Sequence, residues 1–536
     1  YKKLRNSVNR LRKILQTNYF DNKIRNLKCV NNHKWWKEIK NLSGINVGDT
    51  TSTAFDNVIY NGEELSAFDM PNVINRYLIS VADSVAAINH DVLSAFSSGL
   101  DACAPEFILS EFDVFMLLNK LKSNKATLND AISNKLLRSL ADVLAAPICS
   151  LINTCVRNGA YPTQWKISRI SPIPKSVPVR NLETDIRPIS VTCPVAKVAE
   201  HFISKFFNRH FHSSLDENQF GSTEGRSATL ALIMIGLCHT LFQAADDTSN
   251  FIRVLFIDFS KAFDLINHNV LFRKLLDYEF PPHLCAWTLS FLENRTQFIR
   301  IGHRVSDVMT TNAGAPQGTR AGPNVFKLII NDLNFDIPYC KYVDDVTVAS
   351  VSCDSNDNEL QQAADELTNW CTSNGMHLNT RKTKEMLIHF GRKTDLSMIN
   401  QNIIDRSSIE RVSAFKLLGV YISSDLTWTV HIDYIVSKAS KRFFVIAQLV
   451  RAGVGKSDVI TVYCAIIRSV LEYACAVWHC GLTKGQSNEL ESVQKRCLKM
   501  IYPELSYADA LFVAGLSRLD IRRETIVRNL FSQVKN

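Results

Sequence analysis

Apolar positions repeat at two spacings along this chain, and each spacing predicts a different kind of element. In several stretches an apolar residue recurs every three or four positions, which is typical of an amphipathic helix. These stretches are residues 1–46, the segment from about Val73, Glu111–Lys122, Asp130–Val156, Val195–Phe211, Val325–Leu333 and Ile432–Ile446. We expect helical structure in each of them.

Three other runs are typical of β-strands. Phe251–Ile257 is almost continuously apolar, which favours a strand buried on both faces. Tyr342–Ala349 is rich in β-forming residues, and Phe415–Ile422 is interpreted as a third strand with Gly419 inside it. A cluster of prolines between residues 172 and 188 excludes a long helix there. The chain is therefore predicted to combine helices with strands.

Amino-acid composition adds little to this prediction, whereas the positive charge is concentrated in one part of the chain. The chain has 536 residues, of which 46% are hydrophobic, and this excludes wholesale disorder and a small disulfide scaffold. The net charge is +9, and residues 1–40 alone carry +10, from twelve Lys or Arg residues against Asp21 and Glu38. A localised basic segment attracts polyanions, either nucleic acid or an anionic membrane face. A solvated helix face explains the same segment equally well.

Neither the cysteines nor the apolar stretches indicate secretion or membrane insertion. The fourteen cysteines form no C-x-x-C pair, so we expect reduced thiols in a cytosolic or nuclear protein. The longest apolar stretch, Ala228–Phe242, has about fifteen residues, fewer than the roughly twenty that span a bilayer. We expect a soluble protein with no membrane partner. Because the chain starts with Tyr1 rather than Met, we also expect a fragment or an excised product.

Acidic residues lie next to two of the predicted strands. Asp258 follows the first apolar run, where an unpaired carboxylate is costly, and Asp344 and Asp345 are adjacent like charges. Taken singly, Asp258 is more often a strand cap and the other pair is as often an exposed turn. Together, three carboxylates from two strands have the oxygen ligands that Mg²⁺ prefers. Two such ions activate a 3′-hydroxyl and stabilise a leaving pyrophosphate, which is the chemistry of nucleotidyl transfer.

Three further side chains have chemistry suited to a nucleotide. Gln317 lies in a segment rich in Gly and Pro, at 313–323, where small residues let the backbone approach a ligand closely. Lys175 and Arg187 lie in the proline-rich region and supply the point charge and the guanidinium fork that a triphosphate requires. Without the other motifs, Gln317 is equally part of a turn before a helix, and both cations are ordinary solvated side chains.

The motifs become specific through their order along the chain. They are Arg187-Pro-Ile-Ser, Gln219-Phe-Gly, Gly225-Arg-Ser, Asp258-Phe-Ser-Lys-Ala-Phe-Asp264, Pro316-Gln-Gly-Thr, Tyr342-Val-Asp-Asp345, Leu378-Asn, Lys382-Thr and Leu418-Gly-Val420. This series, over roughly residues 115–425, resembles the reverse transcriptases of non-LTR retrotransposons, and most of all the jockey-like branch. The flanks, with Trp35-Trp36 and Leu471-Glu-Tyr473, are similar to that family as well.

The resemblance implies an α+β fold of the right-hand polymerase type, in which helices back a small antiparallel palm sheet. It also implies four regions along the chain. These are a basic helical extension at 1–46, a connector and helical lead-in at 47–104, fingers and palm at 105–400, and a primer-grip strand, helical thumb and tail at 401–536.

The resemblance further implies the roles of individual residues. Asp258, Asp344 and Asp345 resemble the catalytic aspartates that bind two Mg²⁺ ions. Phe263 resembles the aromatic gate beneath the sugar, which rejects a 2′-hydroxyl by its bulk. The other implied roles are Gln317 beside the incoming nucleotide and its template base, Lys175 and Arg187 at the triphosphate, Lys382 at the departing pyrophosphate, and Leu418, Gly419 and Val420 as the primer grip.

The implied activity is extension of a DNA primer on an RNA template with deoxynucleoside triphosphates, in the cytoplasm and nucleus. One alternative is a catalytically inactive remnant or repurposed protein that only binds RNA. A second is an RNA-templated RNA polymerase, which Phe263 argues against. Members of this branch usually have an endonuclease upstream, and we expect it to be missing from this chain. Two positions depart from the family pattern, namely Leu128, where Gly is common, and Val343, where Ala is more frequent.

Overall fold

A computed structural model describes most of the chain. The described residues are 2–25, 32–43, 54–55, 58–60, 63–64, 68–88, 107–123, 125, 127–128, 132–237, 251–352, 358–389 and 399–535. Much of the predicted connector at 47–104 lies outside these residues, and so does the end of the apolar stretch Ala228–Phe242 beyond Leu237.

The N-terminal third is mainly helical, as the apolar spacing predicted. Its elements are α1 (Lys2–Arg25), α2 (Asn32–Leu42), β1 (Ile59–Tyr60), β2 (Glu63–Glu64), α3 (Met70–Ser80), α4 (Glu111–Asn119), α5 (Asn134–Ser139) and α6 (Ala141–Arg157). The prediction of one helical stretch over Asp130–Val156 was too simple. Leu140 has non-helical backbone angles (φ −115°, ψ 28°) and separates α5 from α6.

A first sheet holds the proline-rich region. Its neighbourhood contains β3 (Ile167–Pro174), α7 (Leu182–Asp185), β4 (Ile186–Val191), α8 (Pro194–Phe211), α9 (Ala228–Leu237), β5 (Phe251–Ile257), α10 (His268–Asp277), α11 (Pro282–Leu292), β6 (Arg295–Ile301), β7 (Arg304–Val305) and β8 (Met309–Thr311). The strand order is β4-β3-β6-β7, and β8 pairs with β6. Helix α3 is tied to this sheet because the Asn75 side chain donates a hydrogen bond to the Asp307 carbonyl at 2.9 Å.

A second sheet, four-stranded and antiparallel, lies at the centre of the molecule. The elements that complete it are α12 (Gly322–Ile330), β9 (Tyr339–Tyr342), β10 (Asp345–Ser352), α13 (Glu359–Asn374) and β11 (Lys384–His389). The strand order is β11-β5-β10-β9. Every residue of β5 is buried, as its apolar sequence predicted, and the one charged residue, Arg253, pairs with buried Glu385 at 3.0 Å. This central sheet is the antiparallel sheet that the resemblance implied.

Helices and strands after residue 400 contribute most of the residues of one large hydrophobic core. The elements are β12 (Ile403–Ile404), β13 (Ser407–Ser408), β14 (Ala414–Leu417), β15 (Val420–Ser423), α14 (Thr429–Ser440), α15 (Phe443–Arg451), α16 (Lys456–Tyr463), a π-helical turn (Cys464–Arg468), α17 (Ser469–Glu472), α18 (Cys475–Trp478), α19 (Lys484–Ile501), α20 (Tyr507–Ala514) and α21 (Leu519–Lys535). The described cysteines are free thiols, and most of them are buried, which agrees with the expected reduced state.

Two sequence predictions in this part were wrong in detail. Phe415–Ile422 is a hairpin of β14 and β15, because Leu418 (φ 46°) and Gly419 (φ 91°) both take left-handed backbone angles and reverse the chain. Ile432–Ile446 contains the end of one helix and the start of another, since the helical pattern breaks at Lys441 and Arg442.

Within the described residues, one helical run is long and apolar enough, by length and composition, to cross a membrane. It covers Lys456–Gly481, and half of its apolar window is buried inside the fold. The run is interrupted at Ala474, where φ is 49°. Tyr463 and Leu471 are fully buried within it, in contact with the core of the C-terminal helices. These contacts are those of a core helix.

Candidate active site

The three predicted carboxylates lie at one end of the central sheet. Antiparallel pairing between β5 and β10 ends with Ile257 opposite Val346. Asp258 directly follows Ile257, and Asp345 directly precedes Val346, so both aspartates lie at the same edge of the sheet. Asp344 belongs to the two-residue turn that joins β9 to β10, since Tyr342 pairs with Asp345. Residues far apart in sequence thus meet where two neighbouring strands end.

The turn that carries Asp344 is held from outside by the Gln219-Phe-Gly motif. Val343 has φ 60°, which is rare for a β-branched residue and needs support from its surroundings. The backbone N–H groups of Val343 and Gly221 both donate to Oε1 of Gln219, at 3.1 and 2.8 Å. A side chain on Gly221 would lie only 2.3 Å from the Val343 nitrogen, so only glycine permits this approach.

A buried lysine anchors β9, the strand that leads into the same turn. The Nζ atom of Lys341 donates to the carbonyl oxygens of Ile330, Asn331 and Leu333, at 2.8 to 3.1 Å. The same ammonium pairs with Asp216 at 2.5 Å, and the Lys341 side chain has no exposed surface. A buried charge with all its protons satisfied is stable, and removal of one partner is costly. The turn that carries Asp344 therefore follows a strand that is fixed in place.

Mutual repulsion and partial desolvation shape the titration of the carboxylates. The Asp344 and Asp345 side chains stay exposed at the edge of the sheet, yet surrounding protein desolvates them and raises the pKa of both. Asp345 reaches a pKa of about 6, because the charges of Asp344 and Asp258 add to desolvation. Desolvation also raises the pKa of Asp258, and Lys382 opposes that shift. The charge of Asp344 thus acts on Asp258, and the charges of Asp344 and Asp258 act on Asp345.

The chemistry of these groups fits a divalent metal ion. Oδ2 of Asp258 is buried and accepts no hydrogen bond, and its nearest cation is Nζ of Lys382 at 3.7 Å. Oxygen ligands with raised pKa values and an unsatisfied lone pair suit Mg²⁺. Among the described residues, however, no three His, Cys, Asp or Glu side chains are already gathered as a complete ligand set. Binding of two Mg²⁺ ions by these aspartates stays a prediction.

A cleft of about 510 Å³ opens beside the carboxylates and gathers most of the predicted site. The predicted residues that line it are Asp258, Asp344, Lys175, Arg187, Phe263, Gln317 and Lys382. Of the predicted residues within the described chain, Asp345 and the hairpin turn at 418–420 are not part of its lining. Six side chains from five separate motifs, together with Lys175, therefore share one cavity.

Two basic residues form one wall of the cleft. Ile173 pairs with Arg187 in the register of β3 and β4, and Lys175 follows directly after β3. The backbone N–H of Lys175 donates to the Asp185 carbonyl at 2.6 Å, which fixes the start of the loop. Desolvation lowers the pKa of Lys175, and the like charges of Lys382 and Arg187 lower it further. Lys175 and Arg187 thus line the same cleft as Asp258 and Asp344, and a third cation, Lys382, lies 3.7 Å from Asp258.

Phe263 forms the floor of the cleft, and Gln317 lies at its rim. The Phe263 ring stacks on Phe326 of α12, with centroids 4.8 Å apart and an angle of 20° between the planes. Nε2 of the Gln317 side chain donates to Oδ1 of Asp264 at 3.1 Å. The backbone carbonyl oxygen of Gln317 accepts a hydrogen bond from the Ser190 N–H at 2.7 Å. Both predicted residues are therefore held in place by contacts with other residues of the protein.

The predicted primer-grip turn lies near the β9–β10 hairpin and does not line the cleft. Leu418 packs in a small apolar cluster with Tyr342, the residue before the β9–β10 turn. The Tyr473 hydroxyl donates to the Leu418 carbonyl at 2.8 Å, and the Tyr473 ring covers Gly419. The turn is thus fixed from the C-terminal helices. Its role toward a primer stays a prediction.

Sequence reasoning missed several residues of the cleft. Tyr77, Leu78 and Val81 come from α3 and the turn after it, some 180 positions before Asp258, and their sequence carries no signal of this location. Asp264 and Asn379 also line the cleft. Both belong to motifs that the sequence did show, so their proximity to the site was readable from their neighbours.

Comparisons with known proteins match the part of the chain that supplies most of the cleft. Residues 173–422 match the family model for reverse transcriptase (RNA-dependent DNA polymerase). The probable RNA-directed DNA polymerase from transposon X-element of Drosophila melanogaster is 25% identical over 73% of this chain and 43% of its own length. The probable RNA-directed DNA polymerase from transposon BS of the same organism is 23% identical over 93% of this chain and 56% of its own.

A third relative has a similar extent. The RNA-directed DNA polymerase from mobile element jockey of Drosophila melanogaster is 24% identical over 73% of this chain and 43% of its own length. The chain thus spans about half the length of the curated relatives that it matches.

Proposed function

We propose that this chain, whose residues 173–422 form a reverse transcriptase domain of the non-LTR retrotransposon kind, is an RNA-directed DNA polymerase. It would extend a DNA 3′ end on an RNA template, with deoxynucleoside triphosphates as substrates. The single observation that carries this proposal is the convergence of Asp258, Asp344, Lys175, Arg187, Phe263 and Gln317 on one cleft. A binding-only protein has no need to place acids, cations and an aromatic floor around one nucleotide-sized space.

We assign the metal site to Asp258, Asp344 and Asp345. Two bound Mg²⁺ ions would activate the primer 3′-hydroxyl and stabilise the leaving pyrophosphate. The chain's own groups do the positioning. Lys175 and Arg187 bind the triphosphate, and Phe263 contacts the sugar.

The remaining assignments concern the template and the products. Gln317 meets the nucleotide beside its template base, and Lys382, on the carboxylate side, is placed to assist departure of pyrophosphate. Leu418, Gly419 and Val420 hold the primer end. In the vocabulary of right-hand polymerases, the central sheet is the palm, the β3–β4 sheet belongs to the fingers, and the helices after residue 428 form the thumb. Basic residues at 1–40 bind template and primer phosphates, and the protein acts in the cytoplasm and nucleus.

Primer extension on a homopolymer RNA tests this function directly. Purified chain is incubated with poly(rA), an oligo(dT) primer, dTTP and Mg²⁺, and the unsubstituted protein is expected to add nucleotides. Asp344→Asn keeps the size of the side chain and removes a metal ligand, so incorporation should fall by at least about a thousandfold.

A matched control is Asp365→Asn, because Asp365 is an exposed aspartate on α13, outside the cleft. It should extend primers at the unsubstituted rate. RNA binding in a gel shift should be equal for all three proteins. If the unsubstituted chain binds RNA and incorporates nothing, it is the inactive RNA-binding protein instead. If ribonucleotides are added as readily as deoxynucleotides, it is an RNA polymerase.

A further inference from the structure

Gln317 does not stand alone at the rim of the cleft. Its amide nitrogen Nε2 donates a hydrogen bond to Oδ1 of Asp264 at 3.1 Å, and both side chains line the cleft. Asp264 directly follows Phe263, the residue beneath the sugar. The pair therefore connects the floor of the cleft with its rim.

The backbones around this pair are locked together, so the side-chain contact is built into the fold. The Ala315 N–H donates to the Phe263 carbonyl at 2.8 Å, and the Gly314 N–H donates to the Ile266 carbonyl at 3.0 Å. A side chain on Gly314 would lie 2.7 Å from the Asp264 carbonyl oxygen. Only glycine allows the two segments to approach so closely. Asp264 and Gln317 cannot drift apart without breaking these contacts.

The chemistry of the two groups makes the contact directional. A glutamine amide has a donor end and an acceptor end that are almost equal in shape, so it can point either way. An ionised carboxylate only accepts hydrogen bonds, and it therefore selects the orientation with the NH₂ group toward Asp264. The amide oxygen of Gln317 and its second N–H are then available to the cleft. Burial raises the pKa of Asp264, while the Gln317 amide and the charges of Lys261 and Lys175 oppose this.

We propose that Asp264 is a positioning residue that fixes the direction of the Gln317 amide toward the incoming deoxynucleotide. This inference rests on the proposed polymerase function and extends it by one residue. Asp264 touches neither metal nor primer in this role. It acts through Gln317 alone, and a substitution should weaken nucleotide binding without abolishing chemistry.

The test measures nucleotide affinity rather than turnover. Full chain, RNA template and a DNA primer ended by a dideoxynucleotide form a stable complex at pH 8 with Mg²⁺, and the Kd of the next complementary dNTP is titrated. Asp264→Asn lets the Gln317 amide take both orientations, and Kd should rise about tenfold, which is typical for loss of one charge-assisted hydrogen bond. Gln317→Met should raise Kd by a similar factor. The double variant should be no weaker than Gln317→Met, because Asp264 then has no amide to orient.

The control removes a carboxylate outside the cleft that also accepts a hydrogen bond from a side chain. Asp332 accepts a hydrogen bond from Nε1 of Trp370 at 3.0 Å, and Asp332→Asn should leave Kd unchanged. Thermal unfolding shows whether each variant is folded, and Asp264→Ser serves in place of Asp264→Asn if the latter is not. An unchanged Kd in the Asp264 variant, or losses that add up in the double variant, would overturn the positioning role. Absence of saturable dNTP binding by the unsubstituted complex would remove the polymerase function and this role with it.

Discussion

At the scale of single residues, the cleft brings together like charges, which repel one another and do not stabilise the fold. Burial, together with the charges of Asp344 and Asp258, raises the pKa of Asp345 to about 6. Burial, together with the charges of Lys382 and Arg187, lowers the pKa of Lys175. Such opposed clusters are characteristic of functional sites, where the missing counter-charges arrive with the substrate. Metal ions would relieve the first cluster and a triphosphate the second.

Phe263 provides a prediction on sugar selection. Its ring is held by stacking on Phe326, so it cannot move aside for a 2′-hydroxyl. Phe263→Val should open space beneath the sugar and raise the use of rGTP relative to dGTP by about tenfold or more, as measured by kcat/KM on poly(rC). Phe335→Val is the control, because it removes a buried ring from the same core outside the cleft. Equal selectivity in both variants would contradict the gate.

His431 provides a prediction on stability and pH. This buried imidazole accepts a hydrogen bond from the Tyr421 N–H at 3.3 Å, and burial, together with the charge of Lys416, lowers its pKa to about 4. Between its ordinary pKa of about 6.5 and pH 4, the unfolded chain binds more protons than the folded one, so stability falls as the pH drops. At pH 5 this loss is on the order of 2 kcal/mol relative to pH 7.

The measurement is urea unfolding followed by tryptophan fluorescence at pH 7 and pH 5. His431→Asn retains an acceptor near the Tyr421 N–H but does not titrate. Between pH 7 and pH 5, the free energy of unfolding of the unsubstituted chain should fall by on the order of 2 kcal/mol more than that of the His431→Asn variant. The idea fails if both proteins lose the same amount.

At the scale of elements, the turn that carries Asp344 depends on a contact between two distant segments. Gly221 lies so close to Val343 that an added Cβ would be 2.3 Å from the Val343 nitrogen. Gly221→Ala should displace the turn that carries Asp344, and displacement of about 1 Å costs on the order of a hundredfold in rate. Single-turnover primer extension measures this loss.

The control for Gly221 is another glycine with room for a side chain. A Cβ on Gly485, in the first turn of α19, would meet its nearest neighbour only at 3.7 Å. Gly485→Ala should leave the extension rate unchanged. Normal rates in both variants would show that the turn tolerates displacement.

Elements with a strong local signal were predicted correctly from the sequence, and the misread ones depend on tertiary contacts. The apolar run of β5 and the helix Pro194–Phe211 follow directly from their patterns. The hairpin of β14 and β15 was read as one strand because Leu418 rarely takes a left-handed backbone. Its turn is supported by Tyr473, which is 55 positions away in the chain. The sequence around Leu418 gives no indication of this contact with Tyr473.

At the scale of the whole molecule, the predicted resemblance to non-LTR retrotransposon reverse transcriptases is confirmed, and order along the chain was the signal that carried it. Single motifs were ambiguous, yet their sequence of appearance located the carboxylates, the cations and Gln317. The wall made by Tyr77 and Leu78 was not predictable, because α3 reaches the cleft through tertiary packing, including contacts with the β6–β8 strands.

Salt dependence gives a prediction at the same scale. Lys438 and Lys441 are exposed at the end of α14, away from its buried stripe of Ile432, Ile435 and Ala439. If both lysines contact phosphates of the template–primer duplex, the double change to Gln should lower the slope of log K against log salt by about two. Fluorescence anisotropy at four salt concentrations measures the slope.

The matched control is a lysine that the protein itself neutralises. Lys456 pairs with Glu504 at 2.7 Å, so Lys456→Gln should leave the slope unchanged. A double Lys438 and Lys441 variant with an unchanged slope would show that duplex phosphates lie elsewhere on the surface.

The location of α3 has a practical consequence for anyone who trims this protein. A recombinant fragment cut to the matched residues 173–422 would lack Tyr77, Leu78 and Val81, and also Tyr473 behind the β14–β15 turn. Its nucleotide cleft would be open on one side to bulk water, and weak activity from such a truncation would reflect the missing wall. Expression boundaries should begin before Met70 and extend past the C-terminal helices.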